Sequence, residues 1–122
     1  MTPRRRLLIV DDHAGFRRSA RILLEAEGFV VVGESADGDS AVALATRLEP
    51  DVVLLDIVLP TTDGFDVCAR LLRDQAGLRV VLTSTYDVDL LEDRVAASGA
   101  AGFIPKAELS GDAIDALIGR PA

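Results

Sequence analysis

Cysteine is nearly missing from this chain. Cys68 stands alone, which excludes an intrachain disulfide framework and points to a reducing, cytoplasmic compartment. Long apolar runs are missing too. Basic residues near the N-terminus precede Leu7 to Val10, but Asp11 and Asp12 end that run too soon for a signal peptide or a membrane span. Positive charge is the scarcer sign: 13 Lys and Arg against 20 Asp and Glu give a formal net charge of −7 at pH 7. So acidic a segment is not built to meet a phosphate backbone, which argues against direct nucleic-acid binding and for a protein or a cation as the partner. The one basic cluster, Arg4 to Arg6, reads as a solvated flank of the first strand. There is no GxGxxG and no P-loop pattern to support a nucleotide site, and no recurring sequence period to suggest a repeat protein.

What is present fits one compact domain. With 122 residues, 49% of them apolar, the chain can bury a core of its own over residues 1–122 and has no room for a second ordinary domain. Short runs rich in Val, Ile and Leu recur at Leu7 to Val10, Phe29 to Val32, Val52 to Leu55, Val80 to Leu82 and Ala101 to Ile104. Their hydrophobicity is continuous rather than alternating, as in strands buried on both faces of a parallel sheet.

Helical segments lie between them. Ala14 to Glu27 spaces Phe16, Ala20, Leu23 and Leu24 helically and is followed by Gly28. Ser40 to Leu48 carries Val42, Ala45 and Leu48 on one stripe, follows the turn-prone Asp37, Gly38 and Asp39, and is stopped by Pro50. Phe65 to Asp74 and Val88 to Ser98 are bounded by Gly77 and Gly99, and Ser110 to Ile118 has Ser110 as an N-cap. Strict alternation of strand and helix predicts an α/β, doubly wound sheet whose site lies at the carboxyl ends of the strands. Those ends carry Asp11 and Asp12, Asp56, Thr83 and Ser84, and Lys106.

Three carboxylates on one rim call for a cation, because two like charges about 4 Å apart repel by roughly 4 kcal/mol at an effective dielectric of about 20. Mg²⁺ suits oxygen ligands, and Asp12 and Asp56 offer two. Lys106 is a point charge suited to a phosphoryl oxygen, and the Ser84 hydroxyl can donate to another. Each residue also has a plainer reading. Asp11 or Asp12 could cap the following helix, Asp63 and Gly64 make a turn before a helix, and a lone Lys106 would be a solvated surface lysine. His13 has no second His and no thiolate at zinc-ligand spacing, so its plain role is to start a helix. Cys68 reads as a small apolar packing residue. The joint placement is what raises the acids and the lysine above these readings.

With those residues on the page, the chain resembles the receiver domain of two-component response regulators over essentially its whole length. Five separated elements carry the resemblance: LIVDDH at 8–13, DVVLLDIVLP at 51–60, TDG at 62–64, VVLTS at 80–84 and GFIPK at 102–106. The resemblance implies a flavodoxin-like (βα)5 fold with strand order 2-1-3-4-5. It implies that a sensor histidine kinase phosphorylates its own histidine and that the domain catalyses transfer to Asp56. Asp12 and Asp56 would bind Mg²⁺ directly with the backbone carbonyl of Val58, and Asp11 would act mainly through water. The family's hydroxyl residue is Ser84 on spacing, with Thr83 as fallback: 84 − 56 = 28 residues after the acceptor and 106 − 84 = 22 before the lysine. Phe103 then falls at the switch aromatic, coupling the site to the surface of the fourth helix, fifth strand and fifth helix. An output domain, such as a DNA-binding one, or a separate effector would read that surface, and a homodimer could form on phosphorylation.

Several features depart from the family pattern. Pro105 precedes Lys106 where many receivers have a proline after the lysine, in a cis bond. Val58, two residues after the acceptor, offers no side chain to orient an attacking water, which predicts a long-lived phosphoryl group and argues against a phosphohydrolase needing a general acid there. Thr85 and Tyr86 would crowd the site, and Phe103 lacks a tyrosine hydroxyl.

Overall fold

A computed structural model of the chain describes residues 5–85 and 91–119. Strand and helix alternate along it: β1 (Arg6–Val10), α1 (Ala14–Ala26), β2 (Val30–Ser35), α2 (Gly38–Leu48), β3 (Val52–Asp56), α3 (Gly64–Asp74), β4 (Arg79–Ser84), α4 (Glu92–Ala97), β5 (Gly102–Pro105) and α5 (Gly111–Ile118). A short 3-10 turn, Lys106–Glu108, joins β5 to α5. The strands form one parallel sheet in the order β2-β1-β3-β4-β5, the flavodoxin-like arrangement.

Successive strand residues point to opposite faces, so the continuous apolar runs feed two cores at once. Leu8, Val10, Val53, Leu55, Val80 and Leu82 pack with Ala41 and Ala45 of α2 and Phe65, Val67, Cys68 and Leu71 of α3. Leu7, Ile9, Val52, Leu54 and Val81 pack with Ala20 and Leu24 of α1 and Ile114 and Ile118 of α5. Each fully buried Leu, Ile or Val contributes about 1.5–3 kcal/mol relative to exposure, which makes the central strands a firm platform for their own carboxyl ends. Cys68 is part of this packing, and burial pushes its thiol above the ordinary range.

The helix boundaries show which sequence expectations needed geometry. Helix α2 begins at Gly38, not Ser40, because the Asp37 side chain caps it by accepting from the Ser40 N–H at 2.8 Å. Gly38 is buried there, and a Cβ would lie 2.6 Å from Val67 Cγ2. Its buried face is Ala41 and Ala45, with Val42 and Leu48 only partly covered. On α1, Leu23 is exposed and the buried anchors are Ala20 and Leu24. Strand β2 runs past Val32 to Ser35 while still pairing β1: Glu34 is only partly covered and accepts from Arg21, and the hydroxyl of the buried Ser35 donates to the Asp37 carbonyl at 2.8 Å. The helix expected over 88–98 spans Glu92–Ala97, and residues 88–90 lie outside the described residues. Gly28 has φ 98°, and Ser110 accepts from the Ala113 N–H at 3.0 Å, as the sequence predicts.

Candidate functional site

The first strand ends in a buried acid. Asp11 is fully buried, and its Oδ1 accepts from the backbone N–H of His13 at 2.8 Å, which turns the chain from β1 into α1. Arg17, one turn into α1, holds the same bend by donating to the Asp11 carbonyl at 2.6 Å while its Nε pairs with Glu34 at 3.2 Å. Asp12 is next in sequence and exposed. Its Oδ1 lies 3.2 Å from His13 Nδ1, and Asp11 Oδ1 lies 3.3 Å from the same nitrogen. His13 does start α1, yet its side chain makes no capping bond; the ring turns to the acid pair instead.

Strand β3 neighbours β1, with Val10 in register with Leu55, so Asp56 emerges beside Asp11. Asp56 is buried, and its Oδ1 accepts from the Val58 N–H at 2.9 Å. The loop that follows is closed by Gly64, whose N–H donates to the Ile57 carbonyl at 2.8 Å. Asp63 and Gly64 are therefore more than a turn. Asp63 caps α3 by accepting from the Phe65 N–H at 2.7 Å and also accepts from Arg94 Nη2 of α4 at 3.0 Å. Arg94 stacks over the Phe65 ring at 4.2 Å, so α4 is fastened to the loop that follows Asp56.

Lys106 reaches into this group from the end of β5. Its Nζ is 2.6 Å from Asp11 Oδ2 and 3.0 Å from Asp56 Oδ2, and it sits 4.5 Å from the centre of the Phe16 ring. Only 11% of its side chain is exposed, so it is not the solvated lysine of the plainer reading. Pro105 before it is extended, no peptide bond among the described residues is cis, and the 3-10 turn follows at once. Burial pushes the Asp56 carboxyl up from its ordinary value, helped by the charge of Asp11 and opposed by the Val58 N–H and Lys106. Burial pulls Lys106 down, but the hydrogen bonds and charges of Asp11 and Asp56 outweigh it and the net shift is up. Pairing with the two acids thus favours the charged amine of Lys106, while burial works against the charged form of Asp56.

Ligand atoms of Asp11, Asp12, His13 and Asp56 all lie within 4.8 Å of one another. Three carboxylates against one ammonium leave a local charge of −3 + 1 = −2, which a hard divalent cation would cancel, and the donor set is oxygen-rich as Mg²⁺ prefers. The residues fit that ion. Thr83 and Ser84 are both buried at the end of β4. Thr83 pairs in register with Asp56, and its Oγ1 has no hydrogen-bond partner among the described residues; Ser84 is one residue nearer the rim. Phe103 is half-buried on β5, against the core that includes α2 and α3, and lines a 270 Å³ cavity with Pro105, Glu108, Ala113 and Leu117. Val58 is half exposed beside a second cavity of 430 Å³ that Pro60, Asp63, Leu91 and Arg94 share. Thr85 is exposed, and Tyr86 lies outside the described residues.

Residues 7–118 match the response regulator receiver domain family. The chain belongs to that family. As a receiver domain it resembles the transcription regulator BvgA of Bordetella pertussis, 40% identical over 111 residues that span 91% of this chain and 53% of the relative. It therefore spans about half the length of the curated relatives it matches. Among solved structures, a LuxR-family two-component response regulator from Aurantimonas matches with TM-score 0.87 and 30% identity, covering 98% of this receiver and 89% of that chain. A CheX–CheY–BeF3–Mg²⁺ complex from Borrelia burgdorferi matches with TM-score 0.81 and 28% identity, over 96% and 87% of the two chains. No described helix is long and apolar enough to cross a membrane.

Four contributors escaped the sequence reading: Arg17, Phe16, Arg94 and the ring of His13. The spacing of Phe16 marks it only as a core residue, and the ring of His13 acts within its own turn, on Asp11 and Asp12. Phe16, Arg17 and Arg94 act through contacts between elements that are adjacent only after folding.

Proposed function

We propose that this receiver takes a phosphoryl group onto Asp56 from the phosphohistidine of a sensor kinase and catalyses that transfer itself. The observation that carries the reading is the Lys106 ammonium held between Asp11 and Asp56, at 2.6 and 3.0 Å, with Asp12 alongside. A lysine so placed turns from Asp56 Oδ2 to a phosphoryl oxygen once that carboxylate oxygen has become part of an acyl phosphate, and it keeps Asp11 as its second partner throughout. The Val58 N–H holds Oδ1, which leaves Oδ2 as the nucleophilic oxygen. The Ser84 hydroxyl, with Thr83 as the alternative, donates to a second phosphoryl oxygen. Mg²⁺ bound by Asp12, Asp56 and the Val58 carbonyl, with Asp11 acting through water, would supply neutralising charge to the transferring group.

Movement of Ser84 toward the phosphoryl group frees space for Phe103, and the surface of α4, β5 and α5 changes with it. A DNA-binding output domain, another effector protein or a second phosphorylated copy would read that surface, and the chain would act in the cytoplasm. With no polar side chain at Val58 to orient water, the phosphoryl group is long-lived. The test is incubation with acetyl phosphate and Mg²⁺, followed by mass mapping. Label at Asp56 that is absent from Asp56→Asn is expected; label that persists in the variant removes the assignment.

A further inference from the structure

His13 has no role in that chemistry, and its ring is aimed at the acid pair although the side chain is 71% exposed and could turn to solvent. We propose that His13 is a ligand of the receiver's divalent cation and tunes the site toward first-row transition-metal ions and away from Mg²⁺. The inference rests on the metal-site reading above.

The geometry comes first. His13 Nδ1 lies 3.2 Å from Asp12 Oδ1 and 3.3 Å from Asp11 Oδ1, and the ligand atoms of these three residues and Asp56 fall within one 4.8 Å cluster. In an octahedron with bonds of about 2.1 Å, neighbouring ligand atoms stand roughly 3 Å apart, so the ring nitrogen is spaced from Asp12 Oδ1 as a neighbouring ligand would be. The backbone supports this placement. The His13 N–H is fixed on Asp11 Oδ1 at 2.8 Å, which sets where the ring begins, and Arg17 locks the Asp11 carbonyl one residue earlier in the bend.

The chemistry then sets the selectivity. Carboxylate and carbonyl oxygens suit Mg²⁺, whereas imidazole nitrogen suits the softer divalent ions, whose affinity for a mixed nitrogen and oxygen site climbs from Mn²⁺ to Ni²⁺. A ring-to-carboxylate hydrogen bond has the same length as the separations seen here. Contact between the ring nitrogen and the bound ion is what separates the two arrangements.

His13 is the single histidine of the chain, which makes the test clean. The untagged protein is titrated calorimetrically with Mg²⁺ and with Ni²⁺ as wild type, His13→Ala and Asp12→Asn. His13→Ala is expected to weaken Ni²⁺ on the order of tenfold or more while Mg²⁺ changes by about twofold at most, and Asp12→Asn to weaken both. Pulsed electron paramagnetic resonance of Mn²⁺ bound to the wild type should show coupling to an imidazole nitrogen, lost in His13→Ala. Equal losses for Mg²⁺ and Ni²⁺, or bound Mn²⁺ with no nitrogen coupling, overturn the role of His13 and leave the oxygen site standing. Failure of every ion to bind the wild type overturns the metal-site reading together with this inference.

Discussion

Replacing Gly64 by alanine should damage stability and phosphorylation together, because α3 begins in direct contact with the backbone of Asp56 and Ile57. A Cβ at this position would lie 2.5 Å from the Asp56 carbonyl oxygen, 2.5 Å from Ile57 Cα and 2.6 Å from the Ile57 oxygen. All three are backbone atoms, so no flexible side chain can give way. Ordinary contact begins near 3.4 Å, and the start of α3 must retreat by most of an ångström. That retreat strains or breaks the Gly64 N–H bond to the Ile57 carbonyl, 2.8 Å in the native fold. Overpacking costs about 1–3 kcal/mol and a lost buried hydrogen bond about 1 more, giving a loss of roughly 2–4 kcal/mol. At roughly 4 °C per kcal/mol for a domain of this size, the Tm falls by about 8–16 °C. The same shift moves the Val58 N–H that holds Asp56 Oδ1, and displacement of about 1 Å at a reacting group can cost up to roughly a hundredfold in rate. Gly15→Ala is the control: its Cβ meets nothing within 4 Å, and alanine in a helix should stabilise by about 0.5–1 kcal/mol. Thermal melts by circular dichroism and acetyl phosphate labelling rates on both variants decide the matter. Gly64→Ala with a wild-type Tm and rate would refute the reasoning.

Three other outcomes follow from the site. The Asp56 carboxyl is raised by burial, so the folded chain binds its proton more tightly than the unfolded chain and loses stability as pH rises through the folded value. In metal-free buffer, urea unfolding should therefore show Asp56→Asn gaining on the wild type as pH rises from about 4 toward 7, and a difference that is flat with pH would contradict it. Val58→Asn gives an attacking water a hydrogen-bonding partner and should shorten the life of the phosphoryl group by roughly tenfold or more, read as phosphate release from the labelled domain. Arg94→Ala removes an exposed ion pair to Asp63 and the stack on Phe65, so stability should change by less than about 1 kcal/mol. Hydrogen exchange in α4 should nonetheless quicken, and unchanged protection there would show that Arg94 fastens nothing.

Much of this was legible in the sequence because strands buried on both faces leave a signal that survives without tertiary knowledge. Val52 to Leu55 must be apolar throughout, and the first polar residue after them, Asp56, marks where the strand leaves the core. The helix starts were harder. Asp37, Gly38 and Asp39 carry the composition of a turn, and only the burial of Gly38 against Val67 shows that the triplet opens α2. The supports of the site were hidden for a related reason. Arg17 and Arg94 look like any surface arginine, and what distinguishes them is a carbonyl in one case and a cap with an aromatic ring in the other.

The neighbourhood of the acids, expected from their places at strand ends, depends on the order of the strands. Asp11 and Asp56 are far apart in sequence, and both serve the site because β3 lies directly against β1 while β2 is pushed to the outer edge. The chain leaving β1 turns into α1 on one face, and the chain leaving β3 turns into α3 on the other. Two loops that diverge to opposite faces from adjacent strands leave a crevice between them, at the point where the winding reverses. The buried carboxylates of Asp11 and Asp56 lie in that crevice, and Lys106 can span them only because β5 follows β4 on the same side of β3. A strand order that put β2 between β1 and β3 would leave every residue of the motifs intact and would separate the acids by two strand spacings, roughly 10 Å. The ammonium could not then touch both. The acidic motif is therefore necessary for the site, and the reversal of winding beside β1 is what assembles it.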